Sequence, residues 1–190
     1  MFGISLFPTN VAAGTAVIVI SSTAIAGTIL HILSHAVSKG LFFLSAGAVM
    51  HQTETRDIRE MGGLASKMPL TTVSGTIAAL SIAGAPPFAC FISEVLIFIG
   101  AFQVINYDNF YLLPTALMLV ATVLSLAYSL RFISRVFLGT SRRPENPEHK
   151  LILEVPTSMK IALAIMVIMV LLIGIYPTFF LNLIQTVQFG

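Results

Sequence analysis

Three residues in the string HILSHAVSKG have the type and spacing to pass protons: His31, His35 and Lys39 stand at i, i+4 and i+8. At 100° per residue they fan over about 80° of a helix face and climb roughly 12 Å. An imidazole with an ordinary pKa of about 6.5 gains and loses a proton near neutrality, and the lysine amine continues the line. Ser34 and Ser38 sit on the same turns as supporting polar groups. Glu94 is the fourth outlier, in PPFACFISEVLIFIG, directly after Ser93 and shortly after Pro86-Pro87. The flanks make these residues conspicuous: TAIAGTIL precedes the His/Lys string and LFFLSAGAVM follows it. Lys39 is about eleven apolar or small residues from the next loop, too far for easy snorkelling. A charged lysine at a bilayer centre costs about 2.5–3.5 kcal/mol on insertion scales.

Plainer roles compete with a proton path. Each histidine could simply hydrogen-bond a neighbouring helix. Two histidines at i and i+4 can also ligate a metal, but no third ligand and no HExxH glutamate accompany them. Glu94 could stabilise the positive end of a half-helix, or pair with a lysine on a neighbouring helix. Arg131 and Arg135 read as interface anchors, and Ile165, Met169 and Leu172 as a packing stripe. Cys90 reads as a space-filler, and His51 and His149 as loop residues with no special role.

The elements that must hold these groups are membrane helices. The chain of 190 residues is 56% hydrophobic and only 9% charged, with a mean hydropathy of +0.94. Soluble domains are about a quarter charged, so this surface could not be kept in water. The net charge is +2, and the Lys and Arg residues lie mostly between apolar runs. That excludes the clustered basic stripe a nucleic-acid partner needs. One cysteine excludes an intrachain disulfide and a cysteine-rich metal site. No cofactor motif is present.

The apolar runs predict an all-α fold: a polytopic transmembrane helix bundle, with residues 1–190 as a single membrane domain. About five helices are expected, near 17–50, 69–84, 86–104, 110–137 and 157–184, with residues 1–12 an incomplete preceding element. The second and third are about sixteen residues each, short of the ~20 that span a bilayer. Between them Gly84 and Pro86-Pro87 interrupt the chain, which points to a discontinuous helix lining a protein-filled or watery path. With five spans, the loops 51–68 and 138–155 fall on opposite sides. The segment 131–160 carries Arg131, Arg135, Arg142, Arg143, Lys150 and Lys160, against Arg56, Arg59 and Lys67 in the first loop. The basic excess then places the 138–155 loop in the cytoplasm.

HILSHAVSKGLFFLSAGAV, then TRDIREMGGLASKMPLT, then ALSIAGAPPFACFISEVLIFIGAF together resemble the antiporter-like subunits of respiratory complex I. The same superfamily holds the Mrp-type sodium/proton antiporter subunits and the large membrane subunits of energy-converting hydrogenases. The resemblance runs from about residue 18 to the end. It implies that Lys39 is the central lysine of a half-channel, that His31 and His35 link it along the membrane midplane, and that Glu94 is the ionisable residue of the broken helix. A glutamate there is similar to the subunit-4 type of complex I. Family members have two pseudo-symmetric halves, and this sequence matches the second. The chain is therefore expected to dock against other membrane subunits, another antiporter-like one first among them, within a cell membrane or an equivalent energy-coupling inner membrane.

The function implied is proton or sodium translocation in a redox-driven respiratory or hydrogenase-type complex, without a catalytic centre, metal or cofactor of its own. The alternatives are a stand-alone multi-subunit cation/proton antiporter and a structural spacer.

Overall fold

The computed structural model of the chain describes residues 11–106, 109–140 and 151–189, with side chains from 23 to 184. Among these the regular structure is entirely helical. The helices are α1 (Val11–Thr53), α2 (Pro69–Ile82), α3 (Ala89–Ile105), α4 (Leu112–Val136), α5 (Thr157–Ile175) and α6 (Pro177–Phe189), with single 3₁₀ turns at Leu64–Ser66 and Asn109–Tyr111.

α1 is 43 residues without a proline, about 64 Å at 1.5 Å per residue. It starts at Val11, six residues before the expected start. It stops where Glu54 takes a left-handed φ of 56°, the conformation that commonly ends a helix.

α2 begins on Pro69, whose missing N–H costs nothing in a first turn. It ends in a Schellman motif: Ala85 N–H bonds the Leu80 carbonyl at 3.0 Å, and Gly84 N–H bonds the Ser81 carbonyl at 3.1 Å. Gly84 supplies the required left-handed residue, with φ +68°. Pro86 and Pro87 cannot donate to a continuing helix, and α3 starts at Ala89.

α2 and α3 lie end to end along α1. Ser45 and Gly75 pack α1 on α2, Ser38 bonds Ser81 near the end of α2, and Gly27 and Ala24 pack on Ile97 and Gly100 of α3. The two short helices therefore run one after the other beside one long helix, and together make a single discontinuous pass. Small residues at the α1–α3 contact let the backbones approach closely: a Cβ on Gly100 would fall 2.7 Å from that of Ala24.

A single pass for α2 and α3 reverses the expected sidedness of the loops. Gly63 N–H bonds the Leu138 carbonyl at 3.3 Å and Ala65 N–H bonds the Phe137 carbonyl at 3.0 Å. Glu154 accepts from the Leu70 N–H at 2.8 Å. The segments around 54–70 and 137–154 thus meet at the same end of the bundle, not on opposite sides. Arg56, Arg59, Lys67, Arg131, Arg135 and Lys160 gather there. Arg142, Arg143 and Lys150 lie outside the described residues, as does His149.

The final helix also differs from expectation. Pro177 divides the run 157–184 into α5 and α6, because a proline inside a helix removes one hydrogen bond and clashes with the preceding turn. α5 crosses α3's start so tightly that a Cβ on Gly174 would collide with the Pro87 carbonyl.

Leu30, Leu41, Met68, Leu163, Val170 and Ile173 form the buried core. α4 is apolar yet mostly exposed, with Leu113, Leu117, Val123 and Leu124 all above half exposed. An exposed apolar face on this scale is a lipid- or partner-facing surface. Three helical stretches have the length and hydropathy to cross a membrane, Thr23–Thr53, Asn109–Val136 and Thr157–Ile175; α2 and α3 are apolar but shorter.

Candidate functional site

The His/Lys string occupies the middle of α1, where helix is favoured by Leu and Ala and unbroken by proline. Its His31 and Ser38 side chains face the point where α2 ends and α3 begins. His31 Nδ1 lies 3.0 Å from Ser93 Oγ, and Ser93 in turn donates to the Cys90 carbonyl at 2.8 Å. With the Ser93 proton spent on that carbonyl, His31 Nδ1 is the donor of the pair. The rings of His31 and His35 stack with centroids 5.4 Å apart and 25° between planes. His35 Nδ1 is buried and has no hydrogen-bond partner among the described residues.

Ser38 ties α1 to both sides of the break: its hydroxyl is 2.7 Å from Ser81 Oγ and 3.7 Å from Cys90 Sγ. Ser34 instead bonds the Leu30 carbonyl of its own helix at 2.8 Å, a local bond common for serine inside helices. Ser34, Ser38, Ser81 and Ser93 are fully buried.

Glu94 is half-buried, one residue beyond Ser93. Its carboxylate lies against Gly84, where a Cβ would collide with it. Gly84 thus serves twice, as the left-handed end of α2 and as the floor under the carboxylate.

Lys39 is placed differently from the lysine imagined within an apolar interior. Its side chain is on the exposed face of α1, and no ion pair joins it to Glu94 among the described residues. His35, His31 and Ser93 are thus in contact one with the next, while Lys39 lies on the outer face of α1 and the Glu94 carboxylate lies on Gly84 at the break.

Ser81 at the site and Glu154 at the other end of α2 do not stand out in the sequence. Glu154 caps α2 from far along the chain: besides Leu70 N–H it accepts from Thr71 N–H at 3.4 Å, Thr71 Oγ1 at 2.6 Å and its neighbour Val155 N–H at 3.1 Å. Burial pushes this carboxyl up, but the Thr71 hydroxyl and the three backbone donors outweigh it and hold the group below the usual carboxylate range. One signal for it does exist: Met68 stands at the N-cap of α2 and has no side-chain oxygen to accept, so the cap has to come from elsewhere.

Residues 12–127 match the family described as NADH:quinone oxidoreductase/Mrp antiporter, TM. The chain belongs to this family. Two of its similar relatives are components of Na(+)/H(+) antiporters. The one from Staphylococcus saprophyticus is 35% identical over 81% of this chain and 20% of that protein. The one from Alkalihalophilus pseudofirmus is 35% identical over 82% of this chain and 20% of that protein. The chain thus spans about a fifth of the length of the curated relatives it matches. Among solved structures, a chain of the membrane-bound sulfane sulfur reductase, an archaeal respiratory membrane complex, aligns with a TM-score of 0.70 at 29% identity, over 86% of this chain and 28% of that one. A chain of the Mrp complex from Dietzia sp. DQ12-45-1b shares the fold, with a TM-score of 0.72 at 19% identity, over 90% of this chain and 39% of that one. Family membership and the apolar helices place the protein in the cell membrane, as a multi-pass antiporter-like component.

Proposed function

We propose that this chain provides part of a cation/proton translocation path, with Lys39, His35, His31 and Glu94 as the proton-carrying groups and Ser93 as the hydroxyl between the last two. Ser38 supports the path by holding α1 to the helix break. The observation that carries the reading is the His31–Ser93 bond at 3.0 Å, which couples the titratable line on α1 to the interrupted backbone beside Glu94. A proton on His31 Nδ1 is already directed at the Ser93 oxygen, and the stacked His35 ring is next towards Lys39. The spacer reading calls for Lys39 and His35 both fully paired in dry protein, with no polar route towards Glu94. Among the described residues His35 Nδ1 has no hydrogen-bond partner and no ion pair holds Lys39, which favours the path.

Lys39 on an outer face needs a counter-charge or a polar wall that the described residues do not supply, since a lysine facing hydrocarbon is costly. We assign that role to a second membrane component, with another antiporter-like one as the partner proposed.

The sodium/proton antiporter proteins among the relatives favour a multi-subunit cation/proton antiporter as the setting. The redox-driven complex expected first from the sequence keeps support from the respiratory complex among the solved structures. One experiment addresses both. In the assembled complex, Lys39→Ala and Glu94→Gln should each abolish ion flux, with any electron transfer measured separately. Flux at the wild-type rate in both variants overturns the path. Flux in the unaltered complex without an electron donor identifies the antiporter, and dependence on one identifies the redox-driven complex.

A further inference from the structure

Away from the His/Lys line, α1, α4 and the loop between α1 and α2 enclose a cleft of about 480 Å³ at the basic end of the bundle. Its walls include Phe42, Met61 and Phe132, and its polar side chains are Arg56, Arg131 and Tyr128. That volume is in the range of ligand sites, which are mostly apolar with a few placed polar groups.

Among the described residues the two arginines have no carboxylate partner. The ion pair found there is Arg59 with Asp57 at 3.6 Å, and Glu60 accepts from Thr55 at 3.0 Å. Neither carboxylate is paired with Arg56 or Arg131. Arg131 lies just over one turn before the end of α4, and Tyr128 three residues deeper, the depth at which tyrosine and arginine meet lipid headgroups. Two guanidiniums above an apolar slot fit an anion carrying a hydrocarbon chain. Guanidinium binds phosphate through paired N–H donors, and basic pockets between membrane helices take acidic lipid headgroups. Free phosphate would leave the apolar slot unfilled, and an apolar helix would leave the arginines uncompensated.

We propose that this cleft binds one acidic phospholipid, with its phosphate between Arg56 and Arg131 and an acyl chain along Phe42 and Phe132. The site is on the same helix as Lys39, with Phe42 about one turn further on.

The test is native mass spectrometry of the full chain in its complex, titrated with phosphatidylglycerol or phosphatidylcholine. Phosphatidylglycerol should bind more tightly, and Arg56→Gln with Arg131→Gln should weaken it about 25-fold, the equivalent of about 2 kcal/mol for two guanidiniums. Ala46→Phe, which fills the apolar wall without touching charge, should weaken both lipids; Ala46 also lines the cleft. Unchanged melting temperatures of the variants verify folding. Equal binding of the two lipids to the unaltered protein, or undiminished phosphatidylglycerol binding in the double arginine variant, overturns the site. So does a photo-cross-linker at Ile58 that captures a protein segment in place of lipid.

Discussion

His31 and Ser93 are 62 residues apart in the chain, yet Nδ1 of one and Oγ of the other are 3.0 Å apart inside the bundle. The bond joins the middle of α1 to the first turns of α3, and so to the residue that follows Ser93, Glu94. Ser93→Ala should leave the part-buried His31 Nδ1 without this partner, a loss of about 1 kcal/mol, the usual net worth of one hydrogen bond. Ion flux in the reconstituted complex should fall about tenfold or more, by the usual contribution of a positioned proton-transfer group. Ser93→Thr, which keeps the hydroxyl, should recover much of the flux. Full flux in the alanine variant would remove Ser93 from the path.

Gly84→Ala should damage both structure and transport. The left-handed φ of +68° penalises any Cβ, and this Cβ meets the Glu94 carboxylate. A loss of about 1 kcal/mol from the backbone alone is expected, read as a lower melting temperature in detergent, together with reduced flux as Glu94 is displaced. Gly47 is a control: a Cβ there has nothing within 4 Å, and Gly47→Ala should leave flux unchanged.

The Glu154 clamp predicts a pH dependence with a defined sign. Its carboxyl is held below the ordinary value of 4.5 by donors from α2 and its own segment. A folded-state value below the unfolded one contributes stability that is fully present above about pH 5 and is lost as pH falls through the folded-state value. Melting temperature should therefore drop on acidification from pH 5. Glu154→Gln should flatten that drop and lower stability at neutral pH by about 1 kcal/mol, as loss of a helix cap does. An unchanged acid profile in Glu154→Gln would show that other groups govern it.

The shared end of the two polar loops predicts their sidedness. With Arg56, Arg59, Lys67, Arg131, Arg135 and Lys160 together at one end, the positive-inside rule puts that end in the cytoplasm. Cys90 is the only native cysteine, so in a Cys90→Ala background Ser66→Cys and Asn106→Cys can be labelled one at a time; both positions are exposed. A membrane-impermeant maleimide applied from outside should react with position 106 and spare position 66. The reverse pattern would invert the orientation.

Much of the protein was legible in its residues because membrane helices are written in composition. Long apolar runs specify helices whatever they pack against, since no other open structure satisfies its backbone in lipid. The break at Gly84 and Pro86-Pro87 was equally local: prolines lack the donors a helix needs, wherever they sit. Pro177 carries the same signal, and the division of α5 from α6 could have been read from it. His31, His35, Lys39 and Glu94 were conspicuous because polar side chains are expensive among those neighbours.

Which of these residues meet was not written in the sequence. A hydrophobic run fixes a helix axis and leaves open whether the next run lies beside it or beyond it. α2 and α3 therefore read as two passes, although they stack into one, and the loops 51–68 and 138–155 changed sides with them. Helix period placed His31, His35 and Lys39 on one face. Only packing decided that His31 turns to Ser93 while Lys39 looks outward, because rotation about the axis is set by the small residues Ala24, Gly27 and Gly100 that seat α1 on α3. Glu154 is the plainest case: a carboxylate in a loop acquires its role when an uncapped helix start, eighty-four residues earlier in the chain at Leu70, arrives within 2.8 Å.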